Sequence, residues 1–352
     1  MPMPMPMPMP MNSSSPHRRE SKRASALDPR LCGDDGIVFG ALRTTAVALL
    51  LVSLFLLLPD AAAFAAEATD ATAEAAATGV TAPKLSLADY PTIAGINARV
   101  VVWLAAQLHL WFAAFVLAVP IFVFIIEAIG MGTRDKRYDD MAYEFIKVSI
   151  AAYSLTAILG GLLAFSLILF YPDLFTYLAK VFKGTMFYYA LLFFAESATL
   201  YIYYYGWHWL QGGFRKWVHL TLGLLLNAVG TVLMFLANGW LTFMMSPAGI
   251  DAGGVFTGDA FSAMHNYLWN PINLHRVVAN VAYGGSTVGA YAAFKFLSAA
   301  SAEQKAHYDW MGYTANFIAI AALLPLPFAG YYLTAEIYAY SQQMGITLMG
   351  GV

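Results

Sequence analysis

The chain has 352 residues, of which 60% are hydrophobic and 11% are Asp, Glu, Lys or Arg. A soluble domain carries roughly 25% charged residues, so this composition points to a membrane protein. The formal net charge of -2 and the lack of a basic stripe argue against nucleic acid, while the one cysteine, Cys32, excludes a disulfide framework, a Cys-ligated iron–sulfur cluster and a C-x-x-C-H haem attachment.

Residues 1–36 open with five Met-Pro pairs and continue Ser- and Arg-rich, a composition expected of a disordered segment. Residues 37–66 read as a signal peptide or an anchor helix. An apolar run from Ala46 follows Arg43 and ends in Ala61-Ala62-Ala63-Phe64-Ala65-Ala66. Residues 67–95 start Ala/Thr-rich and read as a periplasmic tether. Residues 96–345 are expected to form the membrane domain.

Six spans are expected within it, giving an all-α polytopic bundle. The stretches 100–126, 148–171 and 218–245 contain no Asp, Glu, Lys or Arg. The stretch 184–207 contains only Glu196, 269–294 contains Arg276, and 313–338 contains Glu336. Asn270-Pro271 reads as an N-cap followed by proline at the first helical position. Pro120 and the Pro325/Pro327 pair are expected to kink the first and sixth spans.

The loops set the expected orientation. Arg134, Lys136 and Arg137 follow the first span, Arg215 and Lys216 the third, and Lys295 and Lys305 the fifth. The loop 246–268 has no Lys or Arg and carries Asp251 and Asp259. The positive-inside rule therefore puts the odd-to-even loops in the cytoplasm of a bacterial inner membrane, with the mature N-terminus outside. Lys180 and Lys183 in the second loop run against this.

Ionisable residues inside apolar spans are costly and mark functional sites. His109, in Gln107-Leu108-His109-Leu110-Trp111-Phe112, and His275, in Asn273-Leu274-His275-Arg276, both fall in the outer half of their spans. Each is read either as a haem-iron ligand or as a histidine bonded to a neighbouring helix. Arg276 either meets a haem propionate, or snorkels, or pairs with Asp259 or Glu336. Glu196 lies near the midplane and reads as a proton relay or ligand, or as a neutral acid bonded to a carbonyl. His219, beside Arg215 and Lys216, reads as interfacial. There is no His-x-x-x-His metal signature, Gly-rich phosphate loop or periodic run of arginines.

These motifs resemble subunit I of the cytochrome bd quinol oxidases over most of residues 98–300, in order. Gln107-Leu108-His109-Leu110-Trp111-Phe112 is similar to the family's first-helix segment, whose histidine binds a high-spin haem. Phe193-Phe194-Ala195-Glu196-Ser197 with Tyr205-Gly206-Trp207 resembles the third-helix motif, whose glutamate is implicated in proton delivery or haem stabilisation. Asn227, Ala237-Asn238-Gly239-Trp240 and Ser246-Pro247 resemble the fourth helix and its end. Trp269-Asn270-Pro271 resembles the start of the fifth helix, and Leu324-Pro325-Leu326-Pro327-Phe328 a late family helix.

The chain also departs from the pattern. The family's second third-helix glutamate falls at Tyr188. Its fifth-helix axial histidine falls at Ala279, with His275 one turn earlier. A glutamate ligand of the late helix falls near Tyr332, with Glu336 four residues on. The long quinol-binding loop and the helix with the methionine ligand are missing.

The resemblance implies a shortened bd-like subunit carrying one or two b-type haems, with d-type haem possible. His109 and His275 would be axial ligands of haem iron, Arg276 the propionate partner and Glu196 the catalytic acid. The implied partners are a second membrane subunit, membrane lipid, and quinol or a periplasmic cytochrome. Two rivals stand beside it. One is a haem-b subunit passing electrons between quinone and a periplasmic cytochrome without reducing oxygen. The other is a haem-free anchor or proton-coupled transporter subunit.

Overall fold

The computed structural model describes residues 79–84 and 90–348. The expected disordered segment, 1–36, and the signal or anchor segment, 37–66, lie outside the described residues, as does most of the tether. The first long helix, α1 (Ala98–Thr133), starts at Asn97, whose side chain accepts the Arg99 N–H at 3.0 Å. This satisfies one of the donors that a helix start leaves open. Arg134 ends α1 in the left-handed region at φ 59°, and Asp135 caps α2 (Lys136–Phe170) by accepting the Arg137 N–H. Two residues therefore reverse the chain, and α1 and α2 pack along each other.

The short α3 (Pro172–Val181) leads into α4 (Lys183–Tyr205), and α5 (Gly213–Met245) returns beside it. A loop with α6 (Ala260–Met264) connects to α7 (Trp269–Ser298). The residues Ala299, Ala300 and Ser301 alone separate α7 from α8 (Ala302–Leu323). The chain continues as α9 (Leu326–Tyr340) and α10 (Gln342–Leu348). The break between α8 and α9 falls at Pro325, as the proline pair predicts. At Pro120, by contrast, α1 continues as helix, and the Pro120 carbonyl accepts from Asn227 Nδ2 at 3.2 Å.

Among the described residues, five stretches are long and apolar enough to cross a membrane: α1, α2, α4, α5 and the α8–α9 pair. The 30-residue α7 is not among them, because Asn270, Asn273, His275, Arg276 and Asn280 lower its hydropathy. It also starts at Trp269 with Leu268 as N-cap, so Asn270 is not the cap. Pro271 still sits in the first turn, where a missing N–H costs little.

At the end of the bundle away from Arg134 and Lys136, four two-residue strands make small antiparallel pairs. β1 (Val80–Thr81) pairs with β4 (Val255–Phe256), and β2 (Thr92–Ile93) with β3 (Ile96–Asn97). Part of the expected tether is therefore stitched onto the 246–268 loop. Asn266 ties that loop down, accepting from Ser246 Oγ at 2.9 Å and donating to Thr242 Oγ1 at 2.8 Å.

The core sits on α1. Val116, Val119, Phe122, Val123 and Ile126 are buried against Phe145, Ile146, Leu200, Leu226 and Ala315. Helix α7 approaches α1 and α8 through adjacent glycines. A methyl group at Gly284 would lie 2.5 Å from the Ala118 carbonyl oxygen, and one at Gly285 2.8 Å from that of Ala315. Small residues permit such contact between membrane helices. Gly284→Leu is expected to push α7 away from α1 and to destabilise the fold by about 1–3 kcal/mol or more, read as a lower unfolding midpoint in detergent.

Candidate functional site

One cavity of about 540 Å³ lies between α1, α2, α4, α5 and α7. His109, Glu196 and Arg276 line it together, with Tyr153, Tyr189 and otherwise mostly apolar residues and glycines. Three of the four sequence candidates thus meet from three helices.

His109 Nδ1 lies 3.2 Å from the Thr156 carbonyl oxygen. A carbonyl only accepts, so Nδ1 carries the hydrogen and the Nε2 lone pair is left for another partner. The same device orients metal-ligating histidines. The ring also leans on Gly160, where a methyl group would lie 2.9 Å from its Cε1. Glu196 is buried on α4, and a methyl group at Gly230 of α5 would come within 2.7 Å of its Oε1.

Arg276 donates through Nη1 to Asn238 Oδ1. Asn238 Nδ2 in turn donates to Asn273 Oδ1 at 2.6 Å, and the buried Asn273 Nδ2 has no partner. Among the described residues no carboxylate pairs with Arg276, neither Asp259 nor Glu336. A guanidinium at the wall of an apolar cavity therefore keeps an unmatched charge.

His275 does not join this group. Consecutive residues of a helix point about 100° apart, so with Arg276 in the cavity wall His275 faces α9. A methyl group at Gly330 there would lie 3.7 Å from its Nε2. Tyr188, at the position of the family's second glutamate, is half exposed and is not part of the cavity wall.

A second polar cluster is buried towards the end of the bundle that carries Arg134 and Arg215. Glu127, His219 and Lys216 are buried, the first two with no exposed surface. Lys216 Nζ lies 2.8 Å from Glu127 Oε1 and 2.7 Å from Asp139 Oδ1. The Tyr203 hydroxyl donates to Glu127 Oε2. His219 Nε2 lies 2.9 Å from the Tyr203 carbonyl, and its Nδ1 2.5 Å from Glu127 Oε1. The carbonyl must accept from Nε2, which turns Nδ1 towards the Glu127 carboxylate. His219 is therefore not interfacial, as its basic neighbours suggested. Glu127 went unread because it directly follows the apolar stretch 100–126. Its one sequence signal is a spacing of 18 residues from His109, five full turns on the same face.

A family model described as cytochrome bd terminal oxidase subunit I matches residues 97–350. The chain belongs to this family. A search of solved structures matches the bd oxidase from Geobacillus thermodenitrificans with a TM-score of 0.63 at 17% identity. The match covers 69% of this chain and 56% of that one, so the chain spans little more than half the length of its structural neighbour. The likeness at that identity concerns the fold. A search of curated proteins finds no match.

The Glu127 cluster anchors α1, α2, α4 and α5 at one point. Removing Glu127 leaves Lys216 with Asp139 but deprives the buried His219 and Tyr203 of their partner, at a cost of about 1–3 kcal/mol for each group. Glu127→Ala is expected to lower stability by that order in a detergent unfolding series. Asp140→Ala, which removes the solvent-exposed pair with Lys136, is expected to leave the midpoint nearly unchanged.

Proposed function

We propose that this chain is the haem-bearing subunit of a bd-type membrane oxidoreductase, with one b-type haem in the cavity lined by His109, Glu196 and Arg276. The observation that carries the reading is the uncompensated Arg276 charge on the wall of the apolar cavity that also holds His109. A cation in that position calls for an anionic group, and an imidazole with a free Nε2 calls for a metal or a donor.

The residues fit such a group. The volume lies inside the roughly 300–1,000 Å³ usual for cofactor pockets. Gly160 and Gly230 keep space that side chains would fill, the lining is apolar, and the donor set is an imidazole, a carboxylate and a guanidinium. In this reading His109 Nε2, with the ring held by the Thr156 carbonyl, would ligate the haem iron. Arg276, braced by Asn238, receives a propionate. The apolar walls exclude water, and Glu196 accepts or releases a proton at the cavity edge. Bound haem supplies one-electron chemistry. A second haem on His275 would need its own site on the α9 side, because the two histidines do not face one space.

The end of the bundle with Arg134, Lys136, Arg137 and Arg215 is assigned to the cytoplasm by the positive-inside rule. Quinol or a periplasmic cytochrome supplies the electrons, and a second membrane subunit covers part of the apolar surface. Three residues link α7 to α8, so a quinone would have to meet this chain somewhere other than on a long loop at that point.

A pyridine haemochrome assay on the purified complex tests the assignment. The expected result is one haem per chain, with most of the reduced-minus-oxidised absorbance lost in His109→Ala and kept in His275→Ala. A colourless wild-type protein would instead support the haem-free anchor or transporter reading. Oxygen uptake with added quinol, compared with a reduced cytochrome donor, separates the two redox readings.

A further inference from the structure

The basic end of the bundle holds a second recess, separate from the cavity of His109. Its volume is about 300 Å³, and it lies where α1 ends and α2 and α5 begin. Arg134, Lys136, Asp139, Gln211, Lys216 and Trp217 line it.

The charge in this recess is one-sided. Three cations face one carboxylate, and that carboxylate, Asp139, is already held by Lys216 at 2.7 Å. Lys136 reaches only Asp140, at 3.9 Å and in solvent. Among the described residues Arg134 has no ion-pair partner. The Gln211 side-chain amide gives one N–H to the Trp207 carbonyl and keeps a second to donate. The backbone of α5 adds to the same sign. Gly212 and Gly213 turn the chain into that helix at φ 82° and 55°, and no side chain caps its first N–H groups. The end of α1 has the opposite polarity, but the Arg134 N–H closes it on the Gly130 carbonyl.

An apolar track leads away from the recess. Phe214, Trp217, Leu224, Leu225 and Val232 are exposed on α5, with Thr221 between them. Their spacing of three and four residues puts them on one side of the helix. The Thr221 hydroxyl bonds back to the Trp217 carbonyl, so the track stays apolar.

We propose that the recess binds the headgroup phosphate of an anionic phospholipid, from the leaflet at the basic end of the bundle. Arg134 meets the phosphate oxygens through its fork of N–H donors, and Lys136 meets them as a point charge. Gln211 and the open start of α5 donate to the remaining oxygens. The acyl chains follow the exposed side of α5, and Trp217 sits at the level where headgroup and chains join. Basic pockets between spans suit acidic headgroups for these reasons. A soluble phosphate could use the same cations but would have no use for the track. Lys216 belongs both to this recess and to the Glu127 cluster, so a lipid bound here braces the joint of α1, α2 and α5.

The proposal rests on neither haem nor the redox reading. The purified complex in an uncharged detergent is titrated with phosphatidylglycerol, phosphatidylcholine or inorganic phosphate. Lipid retention is read by native mass spectrometry, and stability by the unfolding midpoint. Phosphatidylglycerol is expected to stay bound and to raise the midpoint, and the other two to do neither. In the double variant Arg134→Gln, Lys136→Gln its affinity is expected to fall by about tenfold or more. Both side chains are exposed, so the lipid-free midpoint is expected to match wild type. Arg215→Gln removes a neighbouring charge that does not line the recess and is expected to keep the affinity. Equal retention of the two lipids by the wild-type chain would overturn the proposal, whether or not a variant folds. An equal loss in Arg215→Gln would also overturn it, by showing diffuse attraction only. Inorganic phosphate raising the midpoint as far as phosphatidylglycerol would overturn the lipid in favour of a soluble anion.

Discussion

An apolar bundle tolerates an ionised side chain only where an opposite charge or a full set of hydrogen bonds meets it. This chain answers that demand in two ways. Near the basic end, Lys216 finds Glu127 and Asp139, and the cluster closes on itself with His219 and Tyr203. In the cavity, Arg276 finds an amide oxygen and no carboxylate. The first arrangement is complete within the chain. The second leaves the guanidinium without a carboxylate partner among the described residues, and that asymmetry sets the two arrangements apart.

Both arrangements depend on α1. It carries His109 and Glu127 on one face, and it is the helix against which α2, α5 and α7 pack. Glycines supply the clearance where functional side chains press on neighbouring backbones, at Gly160 under His109 and at Gly230 under Glu196. The polar residues are therefore held by contact on the far side as well as by hydrogen bonds. Such double restraint keeps donors fixed in the geometry that ligand binding requires.

Much of the bundle was legible because the bilayer demands about 20 apolar residues per crossing, and the stretches lacking charge announce themselves. Helix ends were less so. Helix α2 starts at Lys136 rather than near 148, because a helix satisfies its own backbone whether or not lipid surrounds it. His109, Glu196 and Arg276 stood out as ionisable groups in greasy runs, and they do line one cavity. His275 stood out for the same reason but lies on another face, since sequence supplies depth along a helix and not its rotation against its neighbours. Glu127 and His219 sit at the borders of apolar runs, where solvent is the default neighbour. Only the packing of four helices shows that they are enclosed.

The adjoining glycines of α7 have a consequence for how this lineage can vary. With Gly284 seated on the Ala118 carbonyl and Gly285 on that of Ala315, the helix is keyed like a shaft in a slot. Sliding or spinning it would drive a larger side chain into a neighbouring backbone. The choice of which residue, guanidinium or imidazole, looks inward is thus made eight or nine residues away. One residue lost between Arg276 and Gly284 would turn that end of the helix by about 100°, exchanging a guanidinium for an imidazole in the cavity wall.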